Sequence, residues 1–243
     1  MKAPRDEHKY LITWEQRDFL LEYWAPNLIK DSFVNESGRT PVLSLYYDSP
    51  NLDFYNEKLD GVFVRSKIRL RVYDTDYREG GVAFLEIKQR FGDKIRKVRV
   101  MTKHFTQELF NIEKWDMPDL LSRDYFNSLI ATYQPRPTAQ VFYIREPFAA
   151  ADGGDIRVTF DSSLIGMFTD EKLSSEVISD PLRSLMPENL AILEIKSNEM
   201  SLPPWIINGI RRAGLVQRPI PKYIAAIEKL GIQSQYSANG VWA

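Results

Sequence analysis

The chain has 243 residues, 44% of them hydrophobic, 12% aromatic and 27% charged, a composition that supports a folded core and excludes a disordered chain. With no cysteine and only His8 and His104, it has no disulfide framework, no Cys-ligated metal, no thiol catalysis and no basis for a Ser-His or multi-histidine centre. The formal charge of −1 hides a segregation: residues 65–99 hold eleven Lys or Arg against five acids, a net +6 that leaves −7 for the rest and points to a local anion site.

Taken in chain order, residues 5–12 alternate as a strand with Arg5, Glu7 and Lys9 on one side. Thr13 with Gln16 forms a capping box for a helix through about Trp24. Ser49-Pro50 opens a second helix ending near Leu59, before Gly61. In residues 64–73, Val64, Ile68, Leu70 and Val72 alternate with Arg65, Lys67, Arg69 and Arg71, the period of a strand with all four cations on one face. Residues 82–91 and 94–101 follow, joined by Gly92-Asp93 as a tight hairpin, with Glu86, Lys88 and Arg90 on one side of the first strand and Lys97 and Arg99 sharing a face of the second. Glu79-Gly80-Gly81 ends a looser connection, so the three strands make a meander with a charged face. Residues 117–132 carry a helical apolar stripe. The strands 139–145, with Arg145, and 155–161, with Asp155, Arg157, Thr159 and Asp161 on one face, meet across Gly153-Gly154. Residues 190–196 set Glu194 and Lys196 opposite Ala191, Leu193 and Ile195, and 220–230 form a last helix before Gly231.

These strands have one apolar and one charged face, and an antiparallel sheet needs only one face in the core. Helices covering the apolar faces leave the charged faces to line a barrel interior or cleft. The expected fold is α+β: an antiparallel β-barrel tunnel of about eight strands with helices outside, one domain over residues 1–232 and a tail over 233–243. Cations on such faces outnumber carboxylates, and buried cations persist only when paired. Phosphate chains supply suitable counter-ions, with Glu7, Glu86 and Glu194 left to hold Mg²⁺ or Mn²⁺. No GxxxxGK(S/T) is present. A near-zero net charge argues against a nucleic-acid partner. The sequence has no spanning apolar run and no signal peptide in MKAPRDEHKY, so a cytoplasmic location is expected.

In order along the chain, Asp6-Glu7-His8-Lys9-Tyr10, Leu45-Tyr46-Tyr47-Asp48-Ser49-Pro50 with Phe54-Tyr55, Ile68-Arg69-Leu70-Arg71-Val72-Tyr73, Leu85-Glu86-Ile87-Lys88, Lys97-Val98-Arg99, Tyr143-Ile144-Arg145, Arg157-Val158-Thr159-Phe160-Asp161, Leu193-Glu194-Ile195-Lys196 and Pro221-Lys222-Tyr223 resemble the VTC domain. This is the polyphosphate polymerase branch of the CYTH-like triphosphate tunnel metalloenzymes. The resemblance implies a phosphotransferase that uses Mn²⁺ or Mg²⁺ to pass the γ-phosphoryl group of ATP to inorganic polyphosphate, with triphosphate hydrolysis or noncatalytic polyphosphate binding as alternatives. It implies Lys9, Arg69, Arg71, Lys88, Lys97, Arg145 and Arg157 as phosphate ligands, with Arg99 beside them. Glu194 is implied as metal ligand, with Glu7 and Glu86 as further candidates, and Lys222 as a basic group at the tunnel mouth. Pro221 stands where members often have Ser. The chain lacks the phosphate-sensing and membrane-spanning segments of eukaryotic members, which leaves export to a separate membrane partner. Arg65, Lys67, Arg90, Lys94 and Arg96 read as structural ion-pair residues, Lys196 as structural or peripheral, His8 as noncatalytic, and Tyr46, Tyr47 and Tyr55 as packing rings.

Overall fold

The computed structural model describes residues 6–31, 37–74, 81–92, 94–102, 115, 117–169, 173–174, 178, 183–199 and 201–229. Arg5, Glu79-Gly80, Asp93 and the tail expected over 233–243 lie outside them. The strands are β1 (Asp6–Thr13), β2 (Leu28–Lys30), β3 (Thr40–Asp48), β4 (Val64–Val72), β5 (Ala83–Phe91), β6 (Lys94–Thr102), β7 (Arg136–Ala150), β8 (Arg157–Phe168) and β9 (Leu190–Ser197). The helices are α1 (Trp14–Trp24), α2 (Asp53–Leu59), α3 (Leu120–Tyr133), α4 (Pro204–Arg212) and α5 (Lys222–Lys229).

All nine strands belong to one antiparallel sheet, in the order β1-β9-β8-β7-β3-β4-β5-β6, with β2 paired to β7. The α+β antiparallel class expected from the alternation holds, but the closed barrel is corrected. Among the described residues the strand ladder does not close: β6 pairs only with β5, and β1, besides its pairing with β9, meets Gln217 at an isolated bridge.

The chain forms two compact units, each built from three segments: Met1–Pro41, Tyr143–Leu164 and Met186–Pro221 in one, Val42–Phe142, Ile165–Leu185 and Lys222–Ala243 in the other. In the first unit, the apolar faces of β1, β8 and β9 bury Tyr10, Ile12, Val158, Phe160, Leu193 and Ile195 against Leu20 and Trp24 of α1 and Ile206 of α4. Helix α1 starts where the sequence places it: the Thr13 Oγ1 accepts the Gln16 N–H at 3.3 Å and the Gln16 Oε1 accepts the Thr13 N–H at 2.9 Å.

The second unit covers the apolar face of β4 and β5, where Ile68, Leu70, Leu85 and Ile87 are buried. Tyr125 of α3 hydrogen-bonds Ser66 at 2.6 Å, and Phe54 of α2 packs on Tyr133 of α3 at 4.8 Å. Helix α2 begins at Asp53 rather than at Ser49-Pro50. Its cap is distant: buried Asp48, at the end of β3, accepts the N–H groups of Ser49, Phe54 and Tyr55 at 2.7 to 2.9 Å. These bonds satisfy donors that no helix can satisfy for itself. The register of β5 with β6, Phe91 opposite Lys94, confirms the two-residue hairpin, and Gly92 takes the positive φ of 52° that the turn needs.

Candidate functional site

Each unit carries a cluster of charges on the sheet face opposite its apolar core. In the second unit the strand register lines up Tyr46, Arg69, Glu86 and Arg99 in one row across β3 to β6 and Lys67, Lys88 and Lys97 in the next. The Glu86 carboxylate, only 2% exposed, lies at the centre. Arg69 donates to its Oε2 through Nε and Nη2, both at 2.6 Å. Arg71 Nη1 lies 3.7 Å from the same oxygen, while Lys97 Nζ and Arg99 Nε approach Oε1 at 2.7 and 3.5 Å. Burial pushes the Glu86 carboxyl up, but Arg69, Arg71 and Lys97 more than reverse this and hold it well below the usual carboxylate range. The same crowding shows in Lys97, where burial and the neighbouring Arg69 outweigh Glu86 and push the ammonium down to about 8.

Aromatic and hydroxyl groups fix the cations. Arg71 donates from Nε to Ser44 Oγ at 3.2 Å; Arg99 donates to the Tyr73 hydroxyl at 2.9 Å and lies 4.0 Å over the Phe84 ring. Arg69 Nη1 donates to the Tyr46 hydroxyl at 3.0 Å. Lys222, the first residue of α5, is buried, and its charge acts on Tyr46 together with those of Arg69 and Arg71. It thus belongs with this cluster and not with an exposed rim.

In the first unit, β1, β8 and β9 bring Lys9 and Thr159 opposite Glu194, and Glu7 and Arg157 opposite Lys196. Glu194 Oε1 meets Lys9 at 3.3 Å; its Oε2 meets Lys196 at 3.3 Å and Arg145 at 3.1 Å. Glu7 lies 3.7 Å from Lys9 and 3.5 Å from Lys196. Arg145 forks onto the fully buried Asp161 through Nε and Nη2, each at 2.7 Å. Burial raises the Glu194 carboxyl, and Lys196, Lys9 and Arg145 bring it well below its usual range. Arg157 leaves this group to pair with Asp31 at 2.7 Å.

The structure therefore gathers Lys9, Glu7, Arg145 and Glu194 in one cluster and Arg69, Arg71, Glu86, Lys97, Arg99 and Lys222 in the other, with Lys88 in the adjoining row. Four cations contact Glu86, and three contact Glu194. The Thr159 Oγ1, buried opposite Glu194 and without a hydrogen-bond partner, adds an oxygen beside Glu194 and Glu7 that fits a hard divalent cation. No trio of acidic or histidine side chains gathers among the described residues. Mg²⁺ and Mn²⁺ nonetheless fit, since such ions bind through one or two carboxylates together with substrate phosphates. Sequence reading missed Asp31 and the hydroxyls of Ser44, Tyr46 and Tyr73; Lys196, read as structural or peripheral, pairs with Glu7 and Glu194. His8 bonds Gln217 at 3.0 Å, away from both clusters' contacts.

The VTC domain profile matches residues 4–231. The chain belongs to the VTC domain family. Comparison with curated proteins finds no match. Among solved structures, the VTC chain is similar to a candidate adenylate cyclase from Bacillus halodurans, at 11% identity over 91% of this chain and 96% of that one, with a TM-score of 0.53. It is also similar to a candidate adenylyl cyclase from Hippeastrum with a dominant triphosphatase activity, at 12% identity over 96% and 99% of the two chains, with a TM-score of 0.50. At these identities the likeness is one of fold.

Proposed function

We propose that this VTC domain is a metal-dependent polyphosphate polymerase that transfers the γ-phosphoryl group of ATP to a polyphosphate chain. The observation that carries the reading is the ratio at Glu86, one buried carboxylate contacted by four cations. Arranged donors of this kind stabilise the charge that spreads over phosphoryl oxygens during transfer, and such chemistry needs no covalent nucleophile from the protein. Arg69, Arg71, Lys97 and Arg99, with Lys88 and Lys222, bind and orient phosphates; Glu86 holds their guanidinium and ammonium groups in place before the substrate arrives. Lys9 and Arg145 are further phosphate ligands, and Arg157 is the most peripheral. Glu194, with Glu7 and Thr159, would hold Mg²⁺ or Mn²⁺, which when bound neutralises phosphate charge and orients the oxygens it touches. The domain spans residues 1–232.

A second reading, triphosphate hydrolysis, is favoured by the fold shared with the Hippeastrum protein. Here water is the acceptor and the same cations serve. No helix among the described residues is long and apolar enough to cross a membrane. The site of action in this proposal is the cytoplasm, with any membrane partner supplied separately. Incubation with ATP and Mn²⁺ or Mg²⁺, followed by gel electrophoresis and a free-phosphate assay, tests the proposal. Polymer on the gel is the expected result; orthophosphate alone establishes the hydrolase, and no turnover with retained polyphosphate binding establishes a binding module.

A further inference from the structure

Tyr46 is 5% exposed and sits in the row of Arg69, Glu86 and Arg99. Its ring is clamped. One face stacks on Tyr223 at 5.2 Å, and the Tyr223 hydroxyl in turn donates to Asp48 Oδ2 at 2.5 Å. The Tyr46 oxygen accepts from Arg69 Nη1 at 3.0 Å, a bond that uses a lone pair and leaves the phenolic proton uncommitted. Among the described residues no acceptor takes that proton. The charged groups acting on the phenol are Arg69, Arg71 and Lys222, cations that can only donate. A buried O–H in such company lacks an anionic oxygen, since leaving a donor unpaired in a buried place is costly.

We propose that Tyr46 is a substrate-contacting residue whose hydroxyl donates a hydrogen bond to a phosphate oxygen of the bound triphosphate or polyphosphate. The assignment rests on the phosphate reading of the Glu86 cluster. It gives that cluster one neutral, directional donor among point charges and forks. Burial raises the phenol, but Arg69 and Arg71 more than reverse this, which makes its O–H a stronger donor.

The test is calorimetric titration of inorganic tripolyphosphate, without metal, into the wild-type chain, Tyr46→Phe, Tyr223→Phe and Arg71→Ala at several salt concentrations, with melting followed by circular dichroism. Phe keeps the stacked ring and removes only the hydroxyl, so Tyr46→Phe should bind about tenfold or more weakly. The slope of log affinity against log salt should equal that of the wild type, because no charge is lost. Arg71→Ala should bind more weakly with a shallower slope. Tyr223→Phe should melt earlier yet bind within about threefold of the wild type, which separates loss of the donor from loss of stability. Unchanged affinity in Tyr46→Phe overturns the assignment. So does a slope that falls as for Arg71→Ala, which would mean that Tyr46 acts by holding Arg69, and so does an equal loss in Tyr223→Phe. If the wild type itself does not bind, the phosphate reading fails and the role of Tyr46 with it, an outcome distinct from the other three.

Discussion

Glu86 is one carboxylate held by four cations, and that ratio decides how its surroundings respond to pH. Lys97 has lost part of its affinity for a proton to burial and to Arg69, so its charge is lost as pH rises through about 8. Below that value the cluster keeps all its cations, and above it one is gone. Affinity for tripolyphosphate should therefore fall as pH rises through that range, and Lys97→Arg, which stays charged, should lose much less. A bound anion favours protonated Lys97, so binding near pH 8 should take up a proton. Calorimetry in two buffers of different ionisation enthalpy reads that uptake directly; heats that do not depend on the buffer would show that Lys97 is remote from the anion. The sequence shows Lys97 and Glu86 on facing strands but not this coupling, because a titration depends on distances that alternation does not give. Tyr46 escaped notice for the same reason. Its letter reads as a packing ring until the register of β3 with β4 sets it beside Arg69.

At the scale of elements, α4 shows how one small residue decides a packing. Gly209 is buried against Trp24, and a Cβ added there would lie 2.3 Å from Trp24 Nε1, an indole that is fully buried and already bonded to the Trp205 carbonyl at 3.0 Å. Neither ring nor helix has room to yield. Gly209→Ala, which ordinarily helps a helix, should instead destabilise by about 1 to 3 kcal/mol, measured as a fall in melting temperature. A neutral or raised value would mean that α4 shifts freely on α1. Elements whose pattern is local were legible in the sequence: β4, β5 and β6 through their alternating cations, α1 through Thr13 and Gln16. Those with no such pattern were not. Val42 to Asp48 of β3 is buried on both faces, so no alternation marks it. Helix α4 opens on Pro204 with Pro203 as its N-cap, a proline pair that marks no helix by its pattern although proline is welcome in a first turn. The Lys9–Glu194 contact joins residues far apart in the chain, and only resemblance to the family suggested it.

Across the whole molecule the two clusters differ in balance. In the first unit Lys9, Arg145 and Lys196 face Glu7, Asp161 and Glu194, cation for anion, in the ion pairs described; in the second, Glu86 stands alone against its four. A balanced cluster admits a divalent cation most readily together with an anion, whereas an unbalanced one takes the anion by itself. Glu194→Gln keeps the side-chain shape but removes a hard ligand, so metal-dependent turnover of ATP should fall about 100-fold, while metal-free binding of tripolyphosphate persists. Turnover indifferent both to this substitution and to EDTA would exclude a divalent ion from the reaction. The placement of these clusters along the chain also sets an order of appearance during synthesis. The Glu86 row draws on Tyr46 to Arg99, a contiguous stretch that leaves the ribosome early. The Glu194 row needs β9 to slot between β1 and β8, so Glu7 and Lys9 must wait for their partners on β9 until nearly the whole chain has emerged. A nascent chain stalled midway would already hold the Tyr46, Arg69, Glu86 and Arg99 row of the anion-binding face, without Lys222, while the carboxylate pair of Glu7 and Glu194 did not yet exist.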